Sequence, residues 1–435
     1  MIYSTTLFAT FFMAVLIVLL PRKYFMLPFI LCACFIPADQ RIIIMDLDFT
    51  PLRILVAAGF FWIFLTWPHV HVRPNKFDIL VFVWAICGAI IYCIQWVSTA
   101  SVIHQCGVLF DIFGLYLIFT KILTSWDSVR LTIRIFAVLA VVTAVMIGME
   151  WFTGKNPFLF LGQVHTVVRE GRYRCEGPFP HSIICGLFWG LLVPLFIGMS
   201  KTERKKFVYR LAAVAGIFIV AASASSTPVL SLIIVLAGVF LFKWRRYVPA
   251  FSWCVIIMLT GLHLIMKAPV WHLLSRVNII GGSTGWHRYN LIDQAIKHFG
   301  EWAVLGCRST EHWGWGMRDI TNQFIYEGVR GGFVTLLAFL VLLFFAFKAM
   351  FGCSIRETSQ QDRLISWCFF VSLVGHCAAF LAVSYFGQIM MLWYMMLAIA
   401  SLFTRRMAQL RFAAEKQNRR IAHCMPDFVP DFVNV

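Results

Sequence analysis

Three arginines fall within six residues in the segment Val168-Arg169-Glu170-Gly171-Arg172-Tyr173-Arg174-Cys175-Glu176-Gly177-Pro178-Phe179-Pro180-His181. Guanidinium forks bind phosphate oxygens in bidentate fashion, so the cluster fits a clamp for a phosphate or diphosphate. A solvated hairpin resting on lipid headgroups fits the same residue types. A second segment, 283–300, reads as an amphipathic helix that Ser283 or Thr284 caps and Gly300 stops. At about 100° per residue, Arg288, Tyr289, Leu291, Ile292, Ala295, Ile296 and Phe299 share one stripe, opposite His287, Asn290, Asp293, Gln294 and Lys297. Arg288 is the only charge on that stripe. It either snorkels to a membrane interface or meets an anion, because burying it unpaired is costly; the anion is the reading adopted here. Beyond it, Leu305–Gly316 holds two tryptophans and His312 in a small-residue turn, a composition suited to stacking on sugar faces and also common in interfacial belts.

The elements that must position these residues are membrane helices. Only 13% of the 435 residues are charged and 60% are hydrophobic, with a mean hydropathy of +0.81. A soluble domain carries about 25% charged residues, so most of this surface must face lipid. Apolar runs lie near 4–20, 24–37, 52–67, 78–98, 105–121, 131–151, 182–199, 208–221, 228–242, 248–266, 331–349, 364–386 and 389–404. They predict an all-α polytopic membrane protein of about 12–13 transmembrane helices with one large, partly helical loop. The first run lacks a basic leader and a small-residue cleavage site, and is read as a helix. The formal charge of +17 sits in short clusters between runs, a topology pattern rather than a nucleic-acid patch. The thirteen cysteines contain no C-x-x-C, and most lie inside apolar runs; Cys175 and Cys307 fall in different outer loops, where a disulfide is conceivable.

With the first residues outside and the runs alternating, 24 of the 37 basic residues fall inside, and every short connector obeys the bias. Loops 153–181 and 267–330 are then extracytoplasmic. The layout is 1–266 as transmembrane helices with outer loop 153–181, 267–330 as the large loop, 331–404 as the last three spans, and 405–435 as a cytoplasmic tail.

The residues now in hand resemble the O-antigen ligase and polysaccharide polymerase superfamily of bacterial envelope enzymes. That family carries a large periplasmic loop before its last three helices, opening with an Arg-bearing amphipathic helix like Trp286–Phe299. His298 and Gly306 fill part of the turn that follows. The loop closes on a His-Asn-x-hydrophobic segment and a Glu- and Gly-bearing helix start, matched here by Asn322, Phe324, Glu327, Gly328 and Gly331. An earlier Arg-x-x-Gly-x-Phe-x-His segment is matched by Arg174, Gly177, Phe179 and His181.

The resemblance implies a membrane glycosyltransferase of GT-C-like fold in the bacterial inner membrane. It would move a glycan from a polyprenyl-diphosphate carrier to an acceptor sugar hydroxyl, with no cofactor, metal or nucleotide sugar. The sole Asp-x-Asp, Asp46-Leu47-Asp48, lies far from the arginines. By carry-over Arg174 and Arg288 would stabilise the diphosphate leaving group. Arg169, Arg172, Glu176, His181, Tyr289 and Asn322 would bind substrate. Implied partners are the lipid-linked glycan donor, a glycan acceptor, membrane lipid, and chain-length regulator or export proteins. One position departs from the pattern: ligases place a His before the loop's final Asn, and here it is Thr321. A Thr cannot act as general base near neutral pH. His312 moves in, or a carboxylate such as Glu327 or Glu176 serves, or no base is needed; the substitution favours a polymerase over a ligase. A flippase for lipid-linked oligosaccharide is the competing class, and it wants ionisable groups in mid-span, for which Asp111, His104 and His376 are the candidates. A scaffold of an envelope assembly is the third.

Overall fold

The computed structural model describes residues 2–44, 47–66, 73–162, 164, 166–276 and 285–424. The predicted cap at Ser283 or Thr284 and Asp46 of the Asp-x-Asp lie outside them. The helices are α1 (Ser4–Leu19), α2 (Leu27–Phe35), α3 (Pro51–Thr66), α4 (Lys76–Trp96), α5 (Thr99–Ile122), α6 (Trp126–Thr153), α7 (Ser182–Gly190) and α8 (Val193–Thr202). They continue with α9 (Lys206–Ala222), α10 (Ser226–Phe240), α11 (Val248–Ile265), α12 (Gly285–Lys297), α13 (Phe299–Trp302), α14 (Gln323–Arg356), α15 (Gln360–Phe380) and α16 (Ile389–Cys424). Two short antiparallel hairpins accompany them, β1–β2 (Ile42–Ile44, Leu47–Phe49) and β3–β4 (Val167–Arg169, Arg172–Arg174).

Local chemistry sets the helix ends. Asn75 accepts hydrogen bonds from the Phe77 and Asp78 N–H groups while the Asp78 carboxylate accepts from Asn75 N at 2.7 Å, a capping box that opens α4. Ser125 and Ser128 open α6 in the same way, and Gly154, with φ +68°, closes it. Along α4 the residues Phe77, Val81, Trp84, Ala85 and Gly88 are buried, whereas Ile79, Val83, Ile86, Ile90 and Ile94 are bare. Both faces are apolar and only one is packed, which suits a helix with lipid on its free side.

Among the described residues eight helices are long and apolar enough to cross a membrane, with α7–α8 and α10–α11 each counted as one. All thirteen predicted runs lie on helices, but they are not thirteen full spans. The run at 24–37 yields only the nine-residue α2, about 14 Å long. The run at 182–199 breaks between α7 and α8, where Pro194 enters the new first turn. Runs 228–242 and 248–266 are joined through the 3₁₀ stretch Leu241–Tyr247. The stretch Gln323–Arg330, read from sequence as loop, is helical: Asn322 caps it, and non-helical Gly331 and Gly332 separate it from the apolar run that starts at 331.

Side-chain contacts sort the connectors into the two sets that alternation predicts. At one end Gln40 Oε1 accepts from Tyr3 N, the Thr5 hydroxyl donates to Phe160 O, and Gln388 Nε2 donates to Ile36 O and Pro178 O. At the other end Asn75 Nδ2 donates to the Ser401 hydroxyl at 2.9 Å, Arg130 pairs with Asp362 at 2.6 Å, and Arg406 pairs with Glu357 at 2.7 Å. The main apolar core lies between these ends. A satellite core of Leu291, Ala295, Trp302, Trp313, Met317 and Val329 organises the 285–330 region.

Candidate functional site

The arginine segment is a tight hairpin. Glu170 (φ +52°) and Gly171 (φ +74°) form its two-residue loop, the pair of positive φ values that a type I′ turn requires. Val167 faces Arg174, Val168 faces Tyr173 and Arg169 faces Arg172. Opposed residues share a face and successive ones alternate, so Arg169, Arg172 and Arg174 all project from the same side. Val168 and Tyr173 take the other side, where the Tyr173 ring lies against Gly154; a Cβ there would come within 2.8 Å of it. Arg169 and Arg172 are directly opposed, an arrangement that destabilises a hairpin unless an anion relieves it.

A buried carboxylate holds the chain after β4. Glu150, at the end of α6, accepts from Glu176 N at 3.1 Å, Gly177 N at 2.9 Å and the Thr166 hydroxyl at 2.9 Å. Gly177 adopts φ +58°, and Asn156 Nδ2 donates to its carbonyl at 2.8 Å. The segment then enters α7, where His181 Nδ1 accepts from Ile183 N at 3.0 Å. That bond leaves the ring proton on Nε2. Burial, reinforced by Arg174, lowers the His181 pKa, so the ring is neutral and Nε2–H is a donor.

These residues meet the other loop in a cleft of about 310 Å³. Arg169, Arg172, Arg174 and His181 line it together with Arg288, Asp319 and Thr321. Ala224, Ser225 and Ser226 bring the N-terminus of α10 to its wall, and His181 brings that of α7. Two helix N-termini add partial positive charge to four guanidiniums; Glu170 and Asp319 are the acidic lining residues. Arg174 is 8% exposed, and the buried Nε atoms of both Arg174 and Arg288 have no hydrogen-bond partner among the described residues. Arg288 Nη2 donates to the Thr227 hydroxyl at 2.9 Å. Burial lowers the pKa of both; Arg169 adds to the effect at Arg174 and Glu176 opposes it. Guanidinium forks and helix N-termini of this kind can hydrogen-bond the oxygens of an anion.

A second cavity of about 480 Å³ lies beside it, and Phe386 lines both. Here the Glu327 carboxylate accepts from Trp84 Nε1 at 3.0 Å and Gln323 Nε2 at 2.8 Å. Gln323 Oε1 accepts from Tyr385 N at 2.7 Å, which ties Glu327 through one amide to the wall between the cavities. Arg53 grips Asp111 with Nε and Nη2 at 2.8–3.0 Å and donates from Nη1 to Asp48 O at 2.6 Å. Arg330 donates to Gln105 Oε1 at 2.9 Å. Trp84, Tyr326, Trp393 and Tyr394 supply aromatic walls.

The other sequence candidates take different places. Glu176 is buried behind the cleft, and burial chiefly pushes its pKa up to about 7. Asn322 caps α14 through Phe324 N and Ile325 N and donates to Leu381 O. Tyr289 packs edge-on against His272, with centroids 4.7 Å apart. His312 lines neither cavity; it contacts Glu301 at 2.7 Å. Cys175 and Cys307 are free thiols. Sequence reasoning missed Glu150, Asp319, Thr227 and Arg53, the partner of the mid-span candidate Asp111. A lone carboxylate inside the apolar run 131–151 was the available signal for Glu150. No protein-family model matches the chain, and no curated protein matches it.

Proposed function

We propose that the chain is a membrane glycosyltransferase that lengthens a polyprenyl-diphosphate-linked glycan, an exopolysaccharide or O-antigen-type polymerase working at the outer leaflet of the bacterial inner membrane. One observation carries this reading: three arginines from one hairpin face and Arg288 from a distant helix line a single cleft. The donor diphosphate occupies that cleft, and the acceptor glycan enters from the cavity holding Glu327. The acceptor hydroxyl oxygen attacks the anomeric carbon and the bond to the diphosphate oxygen breaks. Arg174 and Arg288 stabilise the charge left on the diphosphate, while Glu327 takes the hydroxyl proton. Removing one such stabiliser typically costs about 10²–10³ in rate.

The test is conversion of a purified lipid-linked repeat unit into longer chains by the reconstituted protein, without added Mg²⁺ or Mn²⁺. Products of two or more repeats support the reading; strict dependence on either ion would assign another glycosyltransferase type. The ionisable groups around Asp111 and Glu327 favour a second reading, a flippase for the same lipid. Movement of the labelled lipid between leaflets with no change in chain length would select it.

A further inference from the structure

Away from both cavities, three side chains with metal-ligating atoms converge in the segment 298–312. Glu301 lies at their centre. Its Oε1 is 2.7 Å from His298 Nδ1, and its Oε2 is 2.7 Å from His312 Nε2. We propose that His298, Glu301 and His312 form a binding site for a divalent transition-metal cation of the zinc type. The proposal does not depend on the glycosyltransferase reading.

The geometry is close to what a cation needs. Donors about 2.0–2.1 Å from a tetrahedral Zn²⁺ stand about 3.3 Å apart. The three ligand atoms here all lie within 4.8 Å of one another, and the two carboxylate contacts are shorter than that target. Shifts of about 1 Å by surface side chains therefore suffice. Two imidazoles and one carboxylate suit zinc better than Mg²⁺ or Ca²⁺, which take oxygen ligands. Lys297 does not compete for the site, because its ammonium is turned to Asp293 at 2.7 Å.

The surrounding structure already orients the ligands. The His298 ring stacks on Trp313 with centroids 5.4 Å apart and planes 8° from parallel. Trp313 Nε1 donates to Glu301 Oε2 at 3.0 Å, and Trp313 itself is buried in the satellite core. A packed, hydrogen-bonding neighbour of this kind is what fixes metal ligands elsewhere. Glu301 and His312 are exposed, which leaves a fourth position open to solvent. A cation here ties the end of α12, the helix carrying Arg288, to the stretch that runs on to Asp319 and Thr321 at the cleft. The site escaped sequence reading because its ligands are spaced by three and eleven residues across a turn and include no cysteine.

The experiment uses untagged full-length protein in detergent, stripped by chelator and titrated with ZnCl₂ or CoCl₂. One equivalent of Zn²⁺ binds and raises the melting temperature, and Co²⁺ gives weak d–d bands without thiolate charge-transfer absorption. His312→Ala and Glu301→Gln each weaken binding by more than the about 10–100-fold that outer-shell substitutions cost, whereas Cys254→Ser binds as the parent does. His298→Cys retains the metal and gains a thiolate charge-transfer band, which reads ligation directly even if the other variants fold poorly. Absence of a zinc-dependent shift in the parent, parent-like binding by both weakened variants, or no new band in His298→Cys would each overturn the site.

Discussion

Arg288 donates from Nη2 to the Thr227 hydroxyl at 2.9 Å, joining α12 to the first turn of α10 across 61 residues of sequence. The acceptor is neutral, so the bond aims the guanidinium without cancelling its charge. Nε of the same group is buried and has no partner among the described residues. A buried guanidinium aimed by a neutral acceptor keeps its capacity to pair with an anion, which is what the proposed function asks of it.

Arg288→Ala and Arg174→Ala are therefore expected to lower the rate of chain extension by about 10²–10³ each. Lysine restores little in either position, because it keeps the charge and loses the planar fork. Arg318, exposed and outside both cavities, is the control and tolerates alanine. Arg308 is a poorer control than its sequence position suggests, since its Nε donates to Gln95 O at 2.5 Å. The measurement is chain length and initial rate at matched abundance; full-length polymer from Arg288→Ala would remove the clamp.

Glu176 gives the cleft a pH dependence. Burial raises its pKa from 4.5 to about 7, so folding favours the neutral carboxyl. That contribution to stability is complete below about pH 4.5 and is lost as pH rises through about 7. Melting temperature should fall over the same interval. Affinity for a sugar diphosphate diester should fall as well, because ionised Glu176 sets a negative charge beside Arg174. Glu176→Gln is expected to flatten both profiles, and an unchanged slope in that variant would assign the dependence to another group.

Gly332 has φ +67° and ψ 179°, a combination almost confined to glycine, and an added Cβ would lie 2.4 Å from Val304 O. The break it makes lets Phe333 N reach Ala303 O at 2.8 Å and ends the short first section of α14. Gly332→Ala should destabilise the fold by about 1–3 kcal/mol or more, read as a lower melting temperature. A parent-like melt would mean that the break relaxes without cost.

The membrane class was legible because lipid demands long apolar runs, and every run proved helical. Which connectors share an end followed from alternation of the runs, and contacts such as Gln388 to Pro178 and Asn75 to Ser401 fall within those two sets. Span ends were less legible, since Gln323–Arg330 is polar enough to read as loop and becomes helix only by packing and the Asn322 cap. The hairpin was in principle readable: Glu170-Gly171 fits a two-residue turn, and period-two alternation then aligns the three arginines. What no local pattern reveals is long-range company. Thr227 beneath Arg288 and Glu150 behind Glu176 depend on how distant helices pack.

Absolute orientation is testable by cysteine labelling with an impermeant reagent in intact cells, after exposed Cys106 and Cys254 are replaced by serine. Cysteine at Trp315, an exposed side chain in the cleft-end loop, should be labelled from outside. Cysteines at Ser359 and Gln417 should not. Labelling of Ser359→Cys in sealed cells would invert the topology and, with it, the proposed leaflet.

The Thr227 hydroxyl offers the sharpest separation of orientation from charge. Thr227 is 4% exposed, and among the described residues its oxygen accepts a hydrogen bond from the Arg288 guanidinium. Thr227→Val keeps the shape and removes the acceptor, so Arg288 retains its charge and loses its aim. A hydrogen bond that involves a charged group, as this one does, contributes about 1.5–3 kcal/mol. The expected loss in rate is thus about 10–100-fold, smaller than that of Arg288→Ala. Thr227→Ser preserves the hydroxyl and should stay near the parent. If orientation is the function, combining Thr227→Val with Arg288→Ala adds almost nothing beyond Arg288→Ala alone, because the hydroxyl has lost its client. Additive losses in the double variant would show that Thr227 acts through α10 packing, and that the link between the two loops does not set the position of Arg288.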